Sequence, residues 1–138
     1  MRALNLLAMG LIVFIVLPNA ALAQRRLPLG IKWGRCLLVV NGQTRISGLC
    51  SYKIGTGGAF RIDGPRQVFE GIDYPAAKSN SEMISKDYWA EVYKDGSQWN
   101  GYGNSRIGAV HGDPEWGVLH REGACLVGRS VRVCLWGR

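Results

Sequence analysis

Cys36-Leu37-Leu38-Val39-Val40-Asn41-Gly42-Gln43-Thr44-Arg45-Ile46-Ser47 reads as two strands joined by a tight turn. Aliphatic and β-branched residues fill the first run, and Asn-Gly supplies the two positive-φ positions that a type I′ hairpin demands. A two-residue turn sets the register, with Val40 opposite Gln43 and, counting back, Cys36 opposite Ser47. In that register Cys50 reaches Cys36 only if Gly48 lets the returning strand bend.

Downstream the same grammar repeats. Ser51 to Ile54 and Ala59 to Ile62 flank Gly55-Thr56-Gly57-Gly58, a second hairpin. Tyr88 to Tyr93 runs into Asp95-Gly96, and Ser97 to Tyr102 returns. His111-Gly112-Asp113-Pro114 is turn chemistry, followed by an expected strand from Trp116 to Arg121. Ala124 to Val127 then faces Val131 to Trp136 across a turn centred on Arg129-Ser130, which sets Cys125 opposite Cys134. Between Arg66 and Lys86 the pattern is irregular and reads as a long loop with one short strand, a short helix over Ser81 to Lys86 being the alternative. The expected fold is all-β: a small disulfide-stabilised antiparallel meander, sandwich or barrel of about seven or eight strands.

The start of the chain has another character. Met1-Arg2 precedes an apolar run from Leu6 to Pro18, and Ala21-Leu22-Ala23 stands just before Gln24, the pattern of a secretory signal cleaved after Ala23. The run is shorter than the roughly 18 residues of a membrane span. This implies an exported protein, periplasmic or secreted, without a membrane span after cleavage. Residues 24–33 read as a flexible N-terminal lead and 34–138 as a single β domain.

Export changes what the cysteines mean. All four, Cys36, Cys50, Cys125 and Cys134, follow the leader, and an even number in an oxidising compartment implies disulfides. Of three possible connectivities, Cys36 with Cys50 and Cys125 with Cys134 each close a short loop across an evident turn. C-x2-C spacing for zinc is absent.

The chain carries a formal charge of +7, or +6 without Arg2. Its Lys and Arg are dispersed and form no basic stripe, which argues against nucleic acid and suits an anionic envelope component or acidic partner. Trp89 and Tyr93 fall on one face of their strand and Tyr88, Ala90 and Val92 on the other. Trp99, Asn100 and Tyr102 lie on the returning strand, so rings and amides could stack on sugar or anchor a partner. The same rings are natural core filling. Arg121, Arg129 and Arg132 give the C-terminal hairpin a positive cast suited to carboxylate or phosphate, and equally to plain solubilising charge.

Catalytic patterns are few. His111, Asp113, Glu115 and His120 form the one local cluster with acid/base or ligand chemistry. No G-x-S-x-G surrounds Ser47 or Ser97, and Gly55 to Gly58 lacks P-loop spacing. No cofactor or metal site is expected.

Gly57-Gly58-Ala59-Phe60, Trp99-Asn100-Gly101 and Gly123-Ala124-Cys125 with Val133-Cys134-Leu135-Trp136 together resemble a group of short exported bacterial proteins without an assigned function. In size, charge and cysteine use, though not in motif, the chain is similar to periplasmic lysozyme-inhibitor domains. The functional expectation is a non-enzymatic exported domain binding a cell-envelope or extracellular protein or glycan. Its alternatives are an inhibitor of a cell-wall hydrolase and a hydrolase using His111, Asp113 and His120.

Overall fold

A computed structural model describes residues 27–67, 86–109 and 111–137. The expected leader, and most of the irregular stretch with its possible short strand or helix, lie outside the described residues. Among the described residues, eight antiparallel strands form one nearly closed, barrel-like sheet. They are β1 (Lys32–Val40), β2 (Gln43–Ile54), β3 (Phe60–Asp63), β4 (Trp89–Asp95), β5 (Gln98–Gly103), β6 (His120–Glu122), β7 (Cys125–Val127) and β8 (Val131–Trp136). Their order is β5-β4-β3-β2-β1-β8-β7-β6, so two meanders meet where β1 pairs with β8. Lys32 and Trp33, read from sequence as part of the lead, already belong to β1 and pair with Tyr52 and Ser51.

The Asn41-Gly42 turn forms with φ of 52° and 75°, as a type I′ hairpin requires. The register beyond it departs from the simple count. Leu38 faces Ile46 while Val39 faces Thr44, so Arg45 is an extra residue in β2 and a bulge shifts the pairing by one. Cys36 therefore lies opposite Gly48 rather than Ser47, and Cys50 lies opposite Gly34. Each cysteine faces a residue without a side chain, and the diagonal between them is bridged at a Cα separation of 5.8 Å. Gly48 takes up φ of 98° as β2 passes through it without a break.

The last hairpin follows its expected register, with Cys125 opposite and bonded to Cys134. The two bridges lie on different faces. Cys36 and Cys50 belong to the core cluster, whereas Leu126 and Val133 turn inward and their neighbours Cys125 and Cys134 turn outward.

Inward alternation builds the core. Leu38, Ile62, Val92, Leu126 and Val133 are fully buried, with Ile46, Phe60, Val131 and Leu135 beside them. Full burial of each such side chain contributes about 1.5–3 kcal/mol. The expected strand from Trp116 to Arg121 is mostly absent: β6 begins at His120, and Leu119 makes a single bridge to Trp99. Pro114 and the positive φ of Gly117 interrupt a ladder, so the chain crosses β5 as a strap. Its amides bond outward at intervals of three residues, Asp113 to the Gly103 carbonyl (2.9 Å), Trp116 to Gly101 (2.9 Å) and Leu119 to Trp99 (2.7 Å). Leu119 and Trp116 pack on the core, and the strap spans the gap between the edge strands.

The strap can approach because β5 carries glycine there. A methyl on Gly103 would lie 2.4 Å from the Trp89 carbonyl oxygen and 3.0 Å from the Trp116 ring. Gly103→Ala is expected to lower stability by about 1–3 kcal/mol, the usual cost of overpacking. Equilibrium denaturation reads this directly, and Gly112→Ala, on the neighbouring loop against Tyr102, should act in the same direction.

Candidate functional site

The outward face of β3, β4 and β5 is built from every second residue. Arg61 and Asp63 stand beside Glu91 and Trp89, and Glu91 stands beside Tyr102. The Arg61 guanidinium bonds the Asp63 carboxylate (3.1 Å), reaches Glu91 (3.7 Å) and lies 4.4 Å from the Trp89 ring centroid. Burial pushes the Asp63 carboxyl above its ordinary value even though Arg61 pulls it down. Burial, and then negative Glu91, push the Tyr102 phenol up.

These rings form a framework. Trp89 is buried, meets Tyr102 edge-on at 5.6 Å and donates its indole N–H to the Ala109 carbonyl (2.9 Å). Tyr93 also meets Tyr102 edge-on at 6.2 Å, and its hydroxyl donates to Glu115. Asn104, fully buried, accepts from the Trp89 amide (2.8 Å) and donates to the carbonyls of Asp87 (3.0 Å) and Arg106 (2.9 Å). The cluster thus fastens the long β5–β6 connection to the barrel wall, with Asn100 at the Tyr93 register position.

Trp99 does not belong with Tyr102. Their odd spacing of three residues along β5 sends Trp99 to the inward side, where it packs against the core at the end of the barrel. That end gathers the exit of β2, β4, β6 and β8 and the start of β1, β3, β5 and β7. Lys94 Nζ lies 5.1 Å from the Trp99 centroid and Arg121 Cζ lies 5.0 Å from it. Lys32, opposite Tyr52, completes the charged residues at inward register positions of this mouth among the described residues. All three are cations.

Beside Arg121 opens a pocket of about 370 Å³, with buried Phe60 and Leu135 as its floor, Trp136 as a wall and Gly123 and Gly137 at its rim. The Tyr52 hydroxyl donates to the Gly137 carbonyl and holds the chain exit in place. The opposite end is plugged. There bulged Arg45 donates to the Asn104 carbonyl (2.6 Å) and lies over the Tyr88 ring at 5.5 Å.

The three arginines of the C-terminal hairpin do not converge. Arg121 is inward, Arg129 is exposed in the turn, and Arg132 is outward and paired with Glu122 at 3.2 Å. Hydrogen bonds from His120 (2.9 Å) and Arg132 hold the Glu122 carboxyl below its ordinary value. The His/Asp cluster is likewise dispersed: His120 serves Glu122, Asp113 accepts from Ser105 (3.0 Å), and His111 is exposed on the connection. Among the described residues no three His, Cys, Asp or Glu side chains are grouped to hold a metal, and no helix is long and apolar enough to cross a membrane.

Nothing local in the sequence marks Phe60, Lys94 and Leu135 as site residues, although Phe60 and Leu135 fall in the motifs quoted for the resemblance. Strand register, once the hairpins are paired, is the signal that brings them to one end. Comparison with protein families, curated proteins and solved structures finds no match to this chain.

The raised Asp63 carboxyl has a definite pH signature. The folded state binds its proton more readily than the unfolded chain, so this residue's contribution to stability falls as pH rises from the unfolded value of 3.8 through the raised folded value. Asp63→Asn removes that titration. The stability of wild type relative to the variant should decline across this window, and urea midpoints of both proteins on the acid side of neutrality measure it.

Proposed function

We propose that this chain is an exported, non-enzymatic binding domain that engages an anionic component of the cell envelope or of the surroundings, protein or glycan, at the basic mouth of its barrel. The observation that carries the reading is Trp99, flanked at about equal distance by Lys94 and Arg121 at an end with no inward-facing carboxylate among the described residues. A guanidinium stacked on a ring keeps its in-plane N–H donors free for carboxylate, sulfate or phosphate. Two disulfides and a dense core make a rigid frame for the mouth, which reduces the ordering cost of binding. His120 pairs with Glu122 on the outward face of β6, away from the inward-facing Arg121.

Retention on immobilised polyglutamate tests the site against mere net charge. Lys94→Gln with Arg121→Gln and Arg129→Gln with Arg132→Gln remove the same charge from the mouth and from the outer wall. The mouth variant should elute at distinctly lower salt, while the wall variant stays close to wild type. Equal shifts for both would show that net charge, not the mouth, attracts the polymer.

A further inference from the structure

Beyond its charge, the mouth holds an open pocket with an apolar floor. Phe60 and Leu135 are 2% and 4% exposed and form its floor, Trp136 stands 44% exposed at its side, and Arg121 is the charged residue of its lining among the described residues. Its volume of about 370 Å³ falls in the range of small-molecule sites, typically 300–1,000 Å³. Such sites combine an apolar lining with a few polar groups that orient the ligand.

We infer that this pocket binds a small amphiphilic anion, its aliphatic or aromatic part seated on Phe60 and Leu135 and its carboxylate or phosphate bonded to Arg121. The inference rests on the reading of the mouth as an anion site and adds the apolar half of the ligand. Two features of the lining select that class. The floor offers no hydrogen-bonding side chain, so a sugar would leave its hydroxyls unpaired there. The cation is placed by stacking on Trp99 and by a long contact from Nη1 to the Gly123 carbonyl (3.4 Å), and among the described residues it has no carboxylate partner. An apolar ligand without charge would forgo the charge-assisted bond.

Calorimetric titration of the oxidised protein with decanoate, decanol and acetate separates the terms. Decanoate, kept below its aggregation concentration, should bind at one site and at least about tenfold more tightly than either decanol or acetate, a difference of 1.4 kcal/mol or more. Arg121→Gln should erase the advantage of decanoate over decanol. Trp136→Ala, at an exposed position, should weaken both and leave polyglutamate retention unchanged. Unchanged denaturation midpoints in these variants confirm that the site rather than the fold was altered. Acetate binding as tightly as decanoate, or decanoate binding unaffected by Arg121→Gln, would overturn the inference. Polyglutamate retention that still depends on Lys94 and Arg121 would then leave the anion-binding mouth standing without its apolar ligand.

Discussion

The pairing of β1 with β8 is the constraint on which the rest of the structure depends. Six residues of β1, Arg35 to Val40, lie opposite Trp136 to Val131, nearly a hundred residues away in the chain. Without this ladder the first five strands and the last three would be two separate small sheets, each with an unpaired edge. With it, Cys36, Leu38 and Val40 of β1 pack between two neighbouring strands, and the Cys36–Cys50 bridge sits inside the resulting core. Such a contact costs more loop entropy than any hairpin, so it forms only because it buries a continuous apolar face.

Closing the far side of the barrel uses a different device. No regular ladder joins β5 to β6; the strap from Asp113 to Leu119 crosses β5 with one hydrogen bond every third residue and adds Trp116 and Leu119 to the core. Asn104 and the cluster of Trp89, Tyr93 and Tyr102 hold the connection that leads into it. Long connections thus accumulate at one end, which Arg45 and Tyr88 plug. Among the described residues, the other end carries the short β2–β3, β4–β5 and β6–β7 turns, the approach to β1 and the exit of β8. This asymmetry leaves Lys94, Trp99 and Arg121 accessible above Phe60 and Leu135.

Much of the fold was legible because its signals are local. Asn41-Gly42 marks its turn, the final hairpin places Cys125 against Cys134, and short loops pair the cysteines. The site was only half legible. Trp99 and Arg121 were recognisable as binding chemistry, but they were grouped with Tyr102, Arg129 and Arg132, which face elsewhere. A single residue of offset reverses the face of a strand side chain, and no local signal tells inside from outside when both faces carry aromatics. The bulge at Arg45 was hidden for a related reason. An extra residue in a strand leaves composition and alternation nearly unchanged and shows only in the pairing.

The sequence by itself determined the class of the protein: an all-β chain of short strands, with cysteines spaced to staple hairpins and a basic surface. Those properties follow from residue type and near-neighbour spacing, where turn geometry and alternation act over a few residues. Tertiary structure alone decided that β1 joins β8, that a strap closes the barrel, and that Arg121 stands beside an apolar floor at the end where Lys94 also reaches Trp99. Lys94 and Arg121 are far apart along the chain, and only the register of the paired strands, set by burial of the shared core, brings both to the Trp99 ring, with Lys32 at the same end of the barrel.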